Sequence, residues 1–332
     1  MKRFFVLLLP VLLIFSCGRE QRQFVFLEGF TQGTSYHIAY NSPDSADYHD
    51  ELKELFTAID YSMSIYNPSS LISGMNNNLS GIEPDRYFLA VFNRAREISE
   101  KTDGAFDITV GPLVNAWGFG SGEREDISSA LIDSLMMFVG WDKVRIDNGR
   151  VVKDHPGLML DMNAIAKGYT VDVVAEFFDS LGITDYMIEI GGEIRLKGTN
   201  RNDDEWRIGI DKPVDDPMAL SRELQEIVQL TGRSLATSGN YRKFYVMDGR
   251  RYAHTIDPVS GYPVQHNLLS TTVVAPTAMD ADAWATAFMV MGLEKSMDMA
   301  GNNPDIEAYF IYDLEGLLAV AYTDGFKELI AR

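Results

Sequence analysis

The sequence is poor in cysteine, histidine and positive charge, and each shortage excludes a class of protein. Its single cysteine, Cys17, excludes an intrachain disulfide and any zinc or iron–sulfur site built from several thiolates. A metal ion is therefore held by oxygen ligands or by one of only five histidines. With 29 lysines and arginines against 48 acidic residues, the net charge is -19. This charge argues against nucleic acid as the main partner, because phosphate binding requires clustered cations.

Long apolar runs are also missing, and the one short run lies at the N-terminus. Residues 4–15 are apolar, follow a basic start and contain Pro10. Such a run is too short to span a bilayer of ~30 Å comfortably and is typical of an export signal. Residues 14–17, Ile-Phe-Ser-Cys, resemble a bacterial lipobox, which implies cleavage before Cys17 and lipidation of its sulfur. The alternative is a plain secretory signal with a coincidental cysteine.

Cleavage divides the chain into a signal peptide (1–16), a short lipidated tether (17–23) and a domain (24–332). It removes Lys2 and Arg3, which leaves 27 basic against 48 acidic residues and a net charge of -21. Acyl chains contribute about 0.8 kcal/mol per buried methylene, so two or three chains hold a protein on a membrane stably. We therefore expect an acidic domain in the bacterial cell envelope, lipid-anchored to a membrane on its periplasmic face.

Predicted strands outnumber predicted helices and mostly follow one another as hairpins. Helical spacing of apolar residues predicts helices over 50–59, 88–98 and 165–177, and a short apolar strand ends at Met159-Leu160. A further helix is predicted over 278–291, and its start carries Thr277 and Asp280 in an arrangement like a capping box. Further strands are predicted over residues 24–27, 35–40, 186–190, 193–196, 206–210, 226–230, 244–247, 269–274 and 308–312. This order favours an α+β fold with a mainly antiparallel sheet flanked by helices, rather than a doubly wound one.

Asp282 and Thr286 are the most informative pair of polar residues. They are four residues apart on the last long predicted helix, so a carboxylate and a hydroxyl project from one face. Both are hard oxygen ligands of the kind that magnesium selects, with water, backbone carbonyls or substrate phosphate filling its other positions. A solvated helix face is the alternative interpretation of the same pair.

A strand end running into a helix over residues 160–169 is a second candidate site. Backbone N–H groups at a helix start attract phosphate, and Lys167 in the first turn adds a positive charge. Asp161 at the same junction has two interpretations. It accepts hydrogen bonds from a ligand, or it caps the helix.

His254 follows a short predicted strand and precedes a turn at residues 261–263. A histidine in this place can act as a general base near neutral pH, although a core or surface histidine is the more usual case. Residues 190–193 and 237–242 are glycine-containing polar segments. Both are predicted as turns, which a ligand could approach through the backbone or which serve only as tight turns.

Taken in order, these segments resemble one known family. The resemblance covers the chain from about Gly33 to Met291. Its motifs are Gly33-Thr34-Ser35-Tyr36, residues 63–73, 104–115, 117–120, 161–169, 190–192 and 237–241, His254-Thr255-Ile256-Asp257-Pro258, and residues 280–286. On these motifs the chain is similar to the ApbE family, the FAD:protein FMN transferases, which are typically exported bacterial lipoproteins.

The resemblance implies a T-fold-like α+β protein that binds FAD together with Mg²⁺. Such enzymes split the FAD pyrophosphate, join the FMN phosphate to a threonine hydroxyl of an acceptor flavoprotein and release AMP. The implied acceptors are subunits of sodium-pumping or electron-transfer membrane complexes, or extracytoplasmic reductases that carry flavin.

The resemblance also assigns roles to single residues. The metal ligands that match are the side chains of Asp282 and Thr286 and the backbone of Ala164. We hypothesise that His254 deprotonates the acceptor threonine, so the catalytic residues are His254 and Asp282. The residues that match FAD-contacting positions are Tyr66, Ala105, Phe106, Asp107, Asp161, Lys167 and Ile256.

Three positions depart from the family pattern. Gln32 stands where the family often has methionine, Ala285 where some members have an acidic residue, and Lys167 where some have glutamate. The metal-binding side chains are therefore reduced to Asp282 and Thr286, and the charge of Lys167 favours the pyrophosphate.

Two other functions would use the same site. One is a magnesium-dependent FAD pyrophosphatase that gives FMN and AMP, with water as the acceptor. The other is a flavin-binding lipoprotein without turnover. The combination of Asp282, Thr286 and Lys167 argues against storage, because storage does not need a metal ion.

Overall fold

The computed structural model describes residues 22–213, 223–240, 244–247 and 250–331. The predicted signal peptide and Cys17 lie outside these residues. In the described ranges, the helices are too short or too polar to cross a bilayer.

An antiparallel sheet organises the structure. The strands are β1 (Phe24–Thr31), β2 (Thr34–Asn41), β3 (Val144–Asp147), β4 (Arg150–Lys153), β5 (Tyr186–Ile190), β6 (Glu193–Lys197), β7 (Trp206–Asp211), β8 (Leu224–Leu230), β9 (Ser234–Gly239), β10 (Phe244–Met247), β11 (Arg250–Ala253), β12 (Leu268–Ala275), β13 (Glu307–Leu314) and β14 (Leu317–Tyr322). Eight of them form one sheet of order β1-β2-β5-β6-β9-β12-β13-β14, in which every pairing is antiparallel. The pairs β3–β4, β7–β8 and β10–β11 are separate hairpins. The predicted α+β class is confirmed.

The long helices pack beside this sheet. The helices are α1 (His49–Met63), α2 (Leu71–Asn76), α3 (Arg86–Lys101), α4 (Gly111–Ala116), α5 (Ser129–Met136), α6 (Ala166–Ser180), α7 (Ala278–Met291), α8 (Leu293–Gly301) and α9 (Asp324–Lys327). Apolar residues at helical spacing are buried as predicted, for example Leu52, Phe56 and Ile59 in α1. Helix α7 packs on β9 and β12, α6 packs on β5 and β6, and the two helices pack on each other.

Residues along the sheet alternate between two cores, because successive side chains of a strand point to opposite faces. On β2, Ile38 belongs to the core that includes α1 and α6, whereas Ala39 belongs to the opposite core. The β7–β8 hairpin covers that opposite core with Ile208 and Val228, and α9 adds Phe326. The sheet is therefore buried on both faces, and α6 and α7 are held rigidly on one of them.

The prediction of a strand ending at Met159 and Leu160 is wrong. Met159 makes only an isolated bridge to Val110. Leu160 is fixed instead by the side chain of Asn76, which donates to the Leu160 carbonyl at 2.9 Å and accepts from its N–H at 2.8 Å. The amide of Asn76 thus takes the place of a partner strand. The apolar character of residues 159–160 was not sufficient to distinguish this arrangement from a strand.

The predicted turn over residues 237–242 is wrong in its first half. Residues 237–239 end strand β9, where Thr237 pairs with Thr272 of β12 and their hydroxyl oxygens are 2.8 Å apart. A β-branched residue with a cross-strand partner favours a strand over a turn. Asn240 follows the strand, and residues 241–242 lie outside the described part of the chain.

Candidate functional site between helices α6 and α7

Gly168 allows α6 and α7 to pack closely. Its backbone N–H donates a hydrogen bond to Oδ2 of Asp282 at 3.1 Å. A Cβ atom at position 168 would lie 2.2 Å from the carbonyl oxygen of Ala278 and 2.8 Å from Cβ of Asp282. Both distances are shorter than van der Waals contact, so only glycine fits. The absence of a side chain at Gly168 thus brings Asp282 against the first turn of α6.

Asp282 and Thr286 lie one turn apart on α7, as predicted. Asp282 is only 3% exposed, which excludes the interpretation of a solvated helix face for this residue. Thr286 is half-buried, and its hydroxyl oxygen lies 3.3 Å from that of Ser238 on β9. Burial raises the pKa of Asp282, and the charge of Lys167 and the Gly168 N–H offset part of this effect. A carboxylate that contacts α6 and a hydroxyl that contacts β9 therefore lie one turn apart on the same face of α7.

Lys167 reaches two carboxylates from the first turn of α6. Its Nζ lies 3.0 Å from Oε1 of Glu193 and 3.9 Å from Oδ2 of Asp282. Burial by itself lowers the pKa of Lys167, but the charges of Asp282 and Glu193 outweigh it, so the pKa is raised. With all three groups ionised, this cluster carries one net negative charge on two carboxylates that are almost fully buried, whereas the Lys167 side chain is 28% exposed. Burial raises the pKa of Glu193 as it does that of Asp282, so the charged form of each carboxyl group is disfavoured. Such a charge is costly unless it is compensated, which favours a further cation at the cluster.

The start of α7 is fixed by hydrogen bonds to its first backbone N–H groups. Oγ1 of Thr277 accepts from the N–H of Asp280 at 3.1 Å, as the predicted capping arrangement requires. Asp172 of α6 accepts from the N–H of Ala278 at 2.9 Å and of Met279 at 2.8 Å. Burial raises the pKa of Asp172 to about 6. These hydrogen bonds fix the first turn of α7 against α6, directly ahead of Asp282 and Thr286 in the chain.

The start of α6, in contrast, has no side-chain cap. The N-cap residue is Ile165, and Asp161 instead accepts from the N–H of Asn163 at 2.9 Å in the preceding turn. Burial raises the pKa of Asp161 to about 6. Tyr66 is 60% exposed, and desolvation together with the charge of Asp161 raises the pKa of its hydroxyl, so the two residues are neighbours. An exposed ring beside a buried carboxyl group suits a planar ligand with polar edges.

Asp107 organises the segment that contains Ala105 and Phe106. Its Oδ1 accepts from both the N–H and the hydroxyl of Thr109 at 2.7 Å, and Oγ1 of Thr109 accepts from the N–H of Gly140. Burial raises the pKa of Asp107 to about 6. Phe106 is 2% exposed and lies in the main core, so a ligand would meet this residue through its backbone.

His254 and Ile256 follow strand β11 and pack beside residues of the segment around Trp117 and Phe119. The ring of His254 is half-buried and lies edge-on to that of Phe119, with centroids 6.3 Å apart. Ile256 is buried in the cluster around Trp117 and makes an isolated bridge to Pro263. Because the side chain of Ile256 is buried, a ligand would meet this residue, like Phe106, through its backbone.

An open cavity of about 410 Å³ shows that two predicted segments meet. It is lined by Gly104 and Asp107 from one segment and by Pro258 and Val259 from the other, with Trp141 between them. Segments 104–107 and 254–258 are 150 residues apart in the chain, so this proximity is a result of the fold. The cluster of α6 and α7 does not line this cavity.

Comparisons with known proteins identify the family. The sequence model of the ApbE family matches residues 32–310. The chain belongs to the ApbE family. A Vibrio cholerae protein named FAD:protein FMN transferase is 39% identical, over 99% of this chain and 96% of its own length. A Haemophilus influenzae protein of the same name is 35% identical, over 95% and 93%. The solved structure of "Flavin Transferase ApbE from Vibrio cholerae" has a TM-score of 0.83 and 38% identity, over 93% of this chain and 99% of that one.

Donor atoms on α7 and in the turn before α6 are of the kind that binds the magnesium ion implied by resemblance to the ApbE family. Asp282 offers a carboxylate, Thr286 a hydroxyl, and Ala164 a backbone carbonyl in the turn that precedes α6. No three histidine, cysteine or acidic side chains in the described ranges are grouped to hold a metal. The oxygen donors present suit an ion that binds through few protein ligands and completes its shell with water or phosphate.

Sequence reasoning did not assign a role to Glu193 or Ser238. Both residues lie in segments that the sequence predicts as turns. Only the fold brings Glu193 to Lys167 and Ser238 to Thr286. One feature of the sequence could have drawn attention to Glu193. It is an acidic residue at the start of a predicted strand, directly after Gly191-Gly192. Its side chain is 5% exposed, although glutamate is almost never fully buried unless it is paired.

Proposed function

We propose that this chain is a magnesium-dependent FAD:protein FMN transferase, which moves FMN from FAD to a threonine hydroxyl of an acceptor flavoprotein and releases AMP. The observation that carries the proposal is the buried cluster in which Asp282 meets Lys167 and the N–H of Gly168. The names of the Vibrio cholerae and Haemophilus influenzae relatives support the same activity.

The acidity of the chain makes a local positive region necessary. The FAD pyrophosphate carries two negative charges, and the chain has a net charge of -19. Charges more than about 8 Å away are screened at physiological salt, so the groups near the phosphate decide binding. At the start of α6, backbone N–H groups without a side-chain cap attract phosphate. A bound Mg²⁺ would offset the negative charge that Glu193 and Asp282 leave beside Lys167.

In this proposal, one group of residues holds the metal ion and another contacts the flavin end of FAD. Asp282 and Thr286 hold Mg²⁺ through side-chain oxygens, and Ala164 holds it through its backbone carbonyl. When bound, the ion neutralises negative charge on the phosphoryl oxygens. Tyr66 offers an exposed aromatic face to the flavin ring, and Asp161 beside it is a polar group for the ring edge or the sugar.

We assign the removal of the proton from the acceptor threonine to His254. A neutral imidazole accepts a proton near pH 7 and needs direct access to the incoming hydroxyl. The half-buried ring of His254, at the end of a short hairpin strand, meets the condition of access from solvent. Attack by the threonine oxygen on the FMN phosphorus then breaks the pyrophosphate bond and releases AMP.

We also infer that the protein is lipid-anchored to a bacterial membrane on the side away from the cytoplasm. The support is the lipobox-like segment that ends at Cys17, together with the start of β1 at Phe24, which leaves only a short tether. The expected result is that the wild-type chain sediments with membranes and that Cys17→Ser is recovered in the soluble fraction. Recovery of both forms in the soluble fraction would contradict the anchor.

A flavin transfer assay tests the activity. The full chain is incubated with FAD and Mg²⁺, with and without an acceptor domain that carries the threonine, and AMP and the mass of the acceptor are measured. Transfer predicts AMP together with an acceptor heavier by one FMN, and loss of both when the threonine is replaced by alanine. AMP without a modified acceptor would indicate the pyrophosphatase, and no AMP would indicate flavin binding without turnover.

A further inference from the structure

The ammonium of Lys167 lies unequally between two buried carboxylates. Nζ is 3.0 Å from Oε1 of Glu193, a hydrogen-bond distance, but 3.9 Å from Oδ2 of Asp282, which is beyond one. The side chains of Glu193 and Asp282 are 5% and 4% exposed. Lys167 is therefore bonded to Glu193 and only adjacent to Asp282.

The hairpin of β5 and β6 fixes the position of Glu193. Gly191 and Gly192 have positive φ angles of 66° and 104° and form the two-residue connection before Glu193, the first residue of β6. A Cβ on Gly191 would lie 2.7 Å from Cγ2 of Thr34 and 3.3 Å from Oε2 of Glu193, so the turn packs tightly around this carboxylate. Oε2 of Glu193 is buried and has no hydrogen-bond partner among the described residues. A buried polar atom without a partner needs an explanation, and the ion-pair contact of the other oxygen of Glu193 is with the ammonium of Lys167.

An ammonium in direct contact with Asp282 and a divalent cation would compete for the same carboxylate. Oδ2 already accepts from the Gly168 N–H. If the charge of Glu193 is removed, Asp282 becomes the carboxylate nearest to Lys167, and a shift of about 1 Å brings Nζ into direct contact with Oδ2. A buried ion pair in direct contact is strong, so it would hinder a metal ion from binding there.

We propose that Glu193 is a positioning residue that holds Lys167 away from Asp282 and so keeps the Asp282 carboxylate available to a divalent cation. The inference rests on the proposed function in assigning Asp282 to the metal. It adds that the Lys167–Glu193 pair, which sequence reasoning did not identify, sets the metal affinity of this chain. Glu193 acts through Lys167 and needs no contact with the metal or with FAD.

A double-mutant cycle on metal binding tests the inference without an activity assay. Mn²⁺ serves as the probe, and free Mn²⁺ is counted by electron paramagnetic resonance in titrations of the full chain without FAD. We expect Glu193→Gln to weaken Mn²⁺ binding at least about tenfold, because Lys167 then pairs with Asp282. In a Lys167→Met background, where no ammonium competes, the same Glu193→Gln change should alter binding by less than about threefold.

Glu189→Gln is the matched control, because it removes one negative charge from the same hairpin. Glu189 of β5 accepts from the N–H of Gly192 at 2.7 Å and contacts His37, not Lys167. We expect this variant to bind Mn²⁺ like the wild type. Circular dichroism and melting curves establish that each variant is folded. Should Glu193→Gln not fold, Glu193→Asp keeps the charge but shortens its reach, and it should weaken binding only when Lys167 is present.

Two results would overturn the inference while leaving the metal site intact. The first is wild-type Mn²⁺ affinity in Glu193→Gln. The second is an equal loss of affinity in the wild-type and Lys167→Met backgrounds, which would mean that Glu193 acts on the cation directly. A wild-type chain that binds no Mn²⁺ and no Mg²⁺ would overturn the assignment of Asp282 to a metal, and the inference with it.

Discussion

The hydrogen bond from the backbone N–H of Gly168 to Oδ2 of Asp282, 3.1 Å long, joins the start of α6 to the proposed metal carboxylate. It forms because position 168 has no Cβ, so that Ala278 and Asp282 of α7 can approach the α6 backbone. The two segments that carry Lys167 and Asp282 are more than 100 residues apart in the chain. One glycine therefore decides whether the phosphate-attracting helix start and the carboxylate form a single site.

Gly168→Ala should disrupt this contact. The added methyl group would lie 2.2 Å from the Ala278 carbonyl oxygen, and relief requires a shift of α6 or α7. We expect the free energy of unfolding to fall by about 3 kcal/mol, at the upper end of overpacking effects, and metal binding to be lost. Denaturant titration and Mn²⁺ binding measure the two effects.

Gly301→Ala is the control for this prediction. Gly301 lies at the end of α8, and a Cβ there meets no atom within 4 Å. This variant should be as stable as the wild type or more stable by up to about 1 kcal/mol, because alanine has the higher helix propensity. Equal stability of Gly168→Ala and Gly301→Ala would contradict the steric argument.

Asp282→Asn should separate activity from folding. Asparagine has nearly the same volume and can still accept from the Gly168 N–H, so the helix contact is kept. We expect flavin transfer to fall at least about 100-fold, because the carboxylate ligand of Mg²⁺ is lost. Burial disfavours the charged form of Asp282, so the melting temperature without metal should be unchanged or higher. A melting temperature much below that of the wild type would indicate a structural role instead.

His254→Ala tests the general base. If His254 removes the threonine proton, transfer should slow about 100-fold or more at pH 7, and the loss should shrink as the pH rises and hydroxide replaces the base. FAD binding, measured by the fluorescence of the flavin, should change little. A variant with the wild-type rate of transfer would remove His254 from this role.

Stability should fall as the pH rises from 4 to 7, and Asp107 should contribute to the slope. Burial raises the pKa of Asp107 from 3.8 to about 6. Its contribution to stability is therefore fully present below pH 3.8 and lost as the pH rises through about 6. The difference in pKa corresponds to at most about 3 kcal/mol. Asp107→Asn keeps an oxygen for Thr109, so its free energy of unfolding should depend less on pH.

Asp133→Asn serves as the control for Asp107→Asn, because Asp133 is an exposed carboxylate on α5. Urea unfolding at several pH values between 4 and 8, without metal, gives the slope for each protein. An equal slope for the wild type and both variants would show that Asp107 does not titrate in this range. Asp161 and Asp172, whose pKa burial also raises to about 6, contribute to the slope that remains in Asp107→Asn, as do Asp282 and Glu193, whose pKa burial likewise raises.

The sequence by itself determined the elements and much of the chemistry. Helical spacing in α1 and α3 and the capping residues of α7 are local properties of the chain, so these helices and the turn of helix between Asp282 and Thr286 followed directly. The ordered motifs led to the ApbE family for the same reason, because they can be recognised without knowing their spatial arrangement.

Only the tertiary structure decided how distant residues act on one another. In the structure, a contact with the Asn76 side chain stands where a strand was expected at Met159 and Leu160. Strand β9 continues through Ser238, and the start of α6 has no side-chain cap. The tertiary structure also pairs Lys167 with Glu193. The energies of buried charges depend on distances of a few ångströms and on exclusion of water, and packing between segments sets both. A single cysteine and an acidic composition exclude many sites, but the fold alone shows that the ammonium of Lys167 lies between two buried carboxylates.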